Sequence, residues 1–186
     1  MRLLLLNANT TEFVTETCAA EARRSCAPGT EIVAATGAFG AEIVATRAEN
    51  AIAEHGILDL AARHAPGCDA VLVAVSYDTG LRALRELLPV PVVGMTEAAL
   101  LTACMLGGQI GLLSFGRRVQ PVYRELVAGY GLAGRVAGWR TLESAAAYRP
   151  GPTPELDREI QAACRDLVET DGAEAVILLG AVMAGA

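Results

Sequence analysis

The feature that most constrains the fold is a series of short apolar runs without polar alternation, at residues 3–6, 32–35, 70–75, 90–93, 110–113 and 175–179. A strand with one wet face alternates apolar and polar residues. A run that is apolar throughout must be covered on both faces, which is the condition of a parallel strand. Parallel neighbours need a long crossover rather than a tight turn, and each run here is followed by a polar or Gly-containing turn and a helical pattern. The expected fold class is α/β, with mainly parallel sheets flanked by helices.

The intervening segments supply the helices. Thr10 or Thr11 is placed to cap a helix running to Ser25, with Glu12 and Glu16 near its start, where the helix dipole favours negative charge. Residues 42–64 read as one long helix or as two, interrupted near Gly56. A helix over 79–88 stops at Pro89, because Pro89 and Pro91 each disfavour helix in the preceding residue. Further helices are expected from Thr96 to Leu106, closed by Gly107-Gly108, over 117–130 and over 154–169. A strand over 135–142 and an irregular loop over 146–153 lie between the last two.

Residues 4–10 and 112–116 are both buried strands that release a helix through a polar turn, and residues 69–80 and 174–185 repeat the theme. Two similar halves facing each other is the simplest reading: an N-terminal lobe over 1–95, a second lobe over 96–180, and residues 181–186 returning toward the first. With 186 residues, 53% of them hydrophobic, the chain can bury the core such lobes need.

Charge and cysteine usage narrow the function classes. The net charge is −6 and the fifteen basic residues are scattered, so no basic stripe follows a phosphate backbone and nucleic acid is not an expected partner. Five cysteines without a C-x-x-C, and only two histidines, show no metal-ligand spacing and suit a reducing compartment. His55 and His64 read as surface residues. Only four leucines separate Arg2 from Asn7, too few for a signal segment or a membrane span, so a cytoplasmic protein without a membrane partner is expected. There is no G-x-G-x-x-G after a strand, no Walker A loop and no nucleophile elbow.

Ligands of open parallel sheets bind outside the carboxyl ends of the strands, where side chains leave the core. Four turns qualify, at residues 7–11, 76–80, 114–117 and 180–185, and their polar groups suit an anion. Asn7 and Asn9 can donate amide N–H bonds and Thr10 a hydroxyl, or the same residues form a plain cap with an Asx turn. Ser76, Asp78, Thr79 and Gly80 concentrate polar groups after six apolar residues, with helix capping by Asp78 or Thr79 as the alternative. Ser114 and Gly180 close the corresponding strands of the second half. Glu97 is either a site carboxylate or the first-turn acid of a helix capped by Thr96, and Arg117 and Arg118 either grip a carboxylate or are solvated.

The opening Leu-Leu-Leu-Leu-Asn-Ala-Asn-Thr-Thr, the turn Asp78-Thr79-Gly80-Leu81, the run from Pro91 to Ala99 and the closing Val176-Ile177-Leu178-Leu179-Gly180 resemble the aspartate/glutamate/hydantoin racemase superfamily, in particular its hydantoin racemase branch. The resemblance implies two similar α/β lobes with the site between them, and amino-acid or hydantoin racemisation without any cofactor or metal. The substrate it implies is a small carboxylate or ureide, and a homo-oligomer is expected. The implied mechanism uses two cysteines, one taking a proton from a carbon acid and the other returning one, while N–H donors hold the enolate-like charge.

Aligned on those motifs, this sequence has Val75 at the first cysteine position, with Ser76 beside it, and Ala181 at the second. Ser76 and Ala181 thus mark the catalytic positions of the two lobes. Three outcomes remain open: racemase-like proton transfer by another route, non-catalytic binding of a carboxylate or ureide, and the decarboxylase or cis-trans isomerase chemistry of the same superfamily. The family pattern also continues past Ala186 with a further helix-strand-helix, so a truncated C-terminus is expected.

Overall fold

A computed structural model describes residues 1–143 and 153–185. The loop expected over 146–153 lies almost wholly outside the described residues. The chain divides into two compact units, Met1–Thr96 and Glu97–Ala184.

In the first unit, β1 (Arg2–Asn7), β2 (Glu31–Thr36), β3 (Ala70–Val73) and β4 (Val92–Gly94) form one parallel sheet in the order β2-β1-β3-β4. Successive side chains of a strand point to opposite faces, yet Leu4, Leu5 and Leu6 are all fully buried. The central strand is therefore covered on both sides, as its unalternating sequence requires. Cover comes from α1 (Glu12–Ser25), through Val14, Cys18 and Ala19, and from α2 (Arg47–His64), through Ala53, Ile57, Leu60 and Ala61. The short α3 (Leu81–Leu87) packs on β4.

Helix α4 (Met95–Leu106) carries the boundary between the units. In the second unit β5 (Ile110–Phe115), β6 (Val136–Leu142) and β7 (Ala175–Leu178) are parallel in the order β6-β5-β7, and every residue of β5 is buried. Besides α5 (Gln120–Gly129), this unit has α6 (Pro154–Glu169), whose buried Leu156, Ile160, Ala163 and Leu167 recur at helical spacing and join Leu113 and Phe115 in the core.

Several boundaries differ from the sequence-based expectation, each for a local reason. Helix α2 begins at Arg47 rather than 42 and runs unbroken through Gly56. The Thr46 hydroxyl accepts from Glu49 N–H at 3.2 Å while the Glu49 carboxylate accepts from Ala45 N–H at 2.8 Å, a reciprocal cap that fixes the start. Strand β3 stops at Val73, and α3 starts only at Leu81, so Asp78 and Thr79 are not its caps. Helix α4 starts at Met95, which puts Thr96 inside it rather than at its N-cap. Helix α5 starts at Gln120 rather than 117, with Pro121 in its first turn, where a missing N–H costs nothing.

Candidate functional site

The first strand-end turn is held by its own amides. Asn7 is fully buried, and its Nδ2 donates to Asn9 Oδ1 at 2.8 Å and Thr15 Oγ1 at 2.9 Å. Its Oδ1 accepts from Asn9 N–H at 3.2 Å. Asn7 is thus spent on shaping the turn. Asn9 Oδ1 also accepts from Thr11 N–H at 2.9 Å, an Asx turn that leads into α1. Thr11 occupies the N-cap position without a side-chain cap bond, because its hydroxyl donates instead to Glu42 C=O at 2.6 Å. Asn9 Nδ2 and the Thr10 hydroxyl make no hydrogen bond among the described residues.

The turn after β3 follows the same division of labour. Asp78 is buried at a left-handed φ of 49°, and its Oδ1 accepts from Thr96 N–H at 3.0 Å. The Thr96 hydroxyl donates to Ser76 C=O at 2.7 Å. Asp78 therefore caps α4 across space, satisfying one of the N–H groups that a helix start leaves orphaned. Gly94 permits the approach, since a Cβ there would lie 2.5 Å from Asp78 Cγ. Thr79, almost wholly buried, donates its hydroxyl to Asn50 Oδ1 at 2.7 Å. Gly80 has φ 70° and no room for a Cβ, which would meet Ile57 Cγ2 at 2.6 Å. The Ser76 hydroxyl makes no hydrogen bond among the described residues.

Two of these groups follow neighbouring strands. Leu6 pairs with Val73 in the parallel ladder, and Ala74 N–H continues it by donating to Leu6 C=O at 2.8 Å. Asn9 and Ser76 each lie three residues beyond that pair, in the turns that follow these two neighbouring strands. The first unit thus has a carboxamide donor and a hydroxyl in the turns at the carboxyl end of its sheet.

In the second unit the expected residues have other surroundings. Ser114 is fully buried within β5, and its hydroxyl is 3.1 Å from that of its cross-strand partner Thr141. Gly180 takes φ 126° and leads into a 3-10 turn, Ala181–Met183, in which Ala181 is buried. Arg117 is exposed and paired with Glu143 at 3.3 Å. Residues overlooked in the sequence are the supports: Thr15, Asn50, Gly94, and Thr96 acting through its hydroxyl.

None of the five cysteines stands at a strand end. Cys18 lies in the buried face of α1, where burial pushes its thiol up to about 11 and keeps it protonated near neutral pH. Cys68 donates its S–H to His64 C=O, and burial also raises Cys164.

The sequence pattern of the family described as Asp/Glu/Hydantoin racemase matches residues 3–186. The chain belongs to this family. It is 31% identical over 189 residues to the hydantoin racemase of Paenarthrobacter aurescens, covering all of this chain and 79% of that protein. Among solved structures, allantoin racemase from Klebsiella pneumoniae is similar with a TM-score of 0.91 at 30% identity, over 99% of this chain and 76% of that one. Allantoin racemase from Pseudomonas fluorescens gives 0.86 at 35% identity, over 100% and 79%. In this racemase family member the two positions that the motif resemblance gives to cysteines are Val75 and Ala181, which are 4% and 8% exposed.

Among the described residues, no helix is long and apolar enough to cross a membrane.

Proposed function

We propose that this protein is a hydantoin racemase-like isomerase that binds a small ureide or carboxylate and, without a cofactor, promotes proton transfer at its carbon acid centre. The observation that carries this reading is that Asn9 Nδ2 and the Ser76 hydroxyl, neither with a partner among the described residues, follow neighbouring strands at the carboxyl end of one sheet, in a chain matched to the family along its length. Removing the proton next to a carbonyl moves charge onto that carbonyl's oxygen. Donors fixed where that charge develops lower the barrier, because they need no reorganisation as the charge appears. Thr10, whose hydroxyl has no partner among the described residues, is a third candidate donor. Asn7, Asp78, Thr79 and Gly80 support the turns in this account, and Ser114 and the Gly180-Ala181 turn shape the corresponding strand ends of the second unit.

The proton carrier in this account is water, since neither Val75 nor Ala181 can accept a proton. The expected activity is exchange of the carbon-bound hydrogen with solvent, accelerating with pH as hydroxide becomes available. The test is proton NMR in deuterium oxide with a panel of amino acids, allantoin and 5-substituted hydantoins. Loss of the carbon-bound proton signal faster than in buffer alone supports the reading, and no acceleration across the panel defeats it.

Val75 and Ala181 favour a second reading, a protein that binds the same ligand class without turnover. Thermal-shift measurements with the same panel separate the two: binding without exchange selects the second reading, and exchange excludes it. Carbon dioxide released from a substituted malonate, or a trans-alkene formed from a cis-alkene dicarboxylate, in parallel samples would instead select the decarboxylase or cis-trans isomerase alternative.

A further inference from the structure

The segment between β2 and α2 is unusual for a surface connection. Residues 37–45 read Gly-Ala-Phe-Gly-Ala-Glu-Ile-Val-Ala, with one polar side chain among nine. Connecting loops are usually rich in residues that satisfy their own backbone. Here the satisfaction comes from docking on the first strand-end turn. Gly37 N–H donates to Asn7 C=O at 2.8 Å and to Asn9 C=O at 3.1 Å, Thr10 N–H donates to Ala41 C=O at 3.2 Å, and Thr11 Oγ1 donates to Glu42 C=O. Gly37 is required for the approach, because a Cβ there would lie 2.7 Å from Ala8 C=O. On its other side the loop rests on α2, with Phe39 C=O 3.7 Å from where a Gly56 Cβ would sit.

Phe39 lies midway between these attachments, two residues from Gly37 and two from Ala41, so its Cα is within about 7 Å of each. The backbone around it is fastened on two sides, yet the residue is 67% exposed. The chain has only three phenylalanines. An exposed aromatic residue on the loop bonded to the turn that carries Asn9 offers a surface to an apolar group.

We propose that Phe39 is a specificity-determining residue, the apolar wall for the carbon substituent of a ureide or carboxylate whose polar end is held at Asn9. Ligands with an aryl or branched alkyl substituent are then preferred over ligands with a polar substituent or none. This inference rests on the ligand class proposed above.

The test is isothermal titration of 5-benzylhydantoin and unsubstituted hydantoin, with the ratio of their dissociation constants as the readout. Covering one face of a phenyl substituent corresponds to about a tenfold preference. The wild-type protein is expected to show that preference, Phe39→Ala to bring the ratio close to one, and Met105→Ala, an exposed substitution on α4, to retain it. Far-UV circular dichroism verifies that both variants are folded. A tenfold ratio that persists in Phe39→Ala overturns the role of Phe39 while leaving the ligand class standing. If neither hydantoin binds the wild-type protein, the ligand class falls and this inference with it.

Discussion

At position 78 a single side chain joins two turns that are eighteen residues apart. The left-handed backbone there is tolerated by Asp and Asn better than by other residues with a side chain. Asp78→Asn keeps an oxygen for Thr96 N–H, and urea denaturation is expected to show a loss of less than about 1 kcal/mol. Asp78→Ala leaves that buried N–H unpaired and strains the backbone, with an expected loss on the order of 3 kcal/mol. Equal losses in the two variants would contradict the capping role. Cys18 sets a pH limit on the same unit. Its thiol rises from 9.0 to about 11 on folding, so the native state holds the proton more tightly than the unfolded chain. The resulting contribution is fully present below pH 9 and is lost as pH rises from about 9 to 11. Cys18→Ala is expected to flatten that part of the stability profile in urea titrations at successive pH values.

At the scale of elements, caps and apolar spacing decide where helices begin. Thr46→Ala removes the acceptor for Glu49 N–H and is expected to lower stability by about 1 kcal/mol, read from the denaturation midpoint. Helix α6 was legible in the sequence to its first and last residue, because Thr153 caps it, Pro154 opens it and residues 156, 160, 163 and 167 repeat at helical spacing. The start of α2 was missed by five residues, because 42–46 carry enough helix-compatible side chains to mask the Thr46-x-x-Glu49 cap. The supports of the first-unit turns were not legible. That Asp78 caps α4 rather than α3, and that Thr11 fastens the 37–45 loop rather than α1, are outcomes of tertiary contacts between segments distant in sequence. Local propensity contains no term for either.

At the scale of the whole molecule, the two parallel sheets, their helical cover and the family were all carried by the apolar runs and the turns that follow them. The positions of the two missing thiols also came from those motifs, and they shape the chemistry proposed here. If solvent water is the proton carrier, then restoring thiols should add acid–base catalysis. The double variant Val75→Cys, Ala181→Cys is expected to exchange the carbon-bound proton of a hydantoin about 100-fold faster than the parent, measured by proton NMR. No gain in a folded double variant would contradict the assignment of those positions. The most direct test of the central claim is the exchange rate at C5 of a 5-substituted hydantoin in deuterium oxide, for the wild-type protein and for Asn9→Asp. That substitution keeps the oxygen that accepts from Asn7 and Thr11 and replaces the free N–H donor with a second oxygen. Exchange faster than in buffer is expected for the wild-type protein, with a fall of about 100-fold in the accelerated rate for Asn9→Asp. Wild-type exchange no faster than in buffer, or an Asn9→Asp variant as fast as wild type, would contradict that claim.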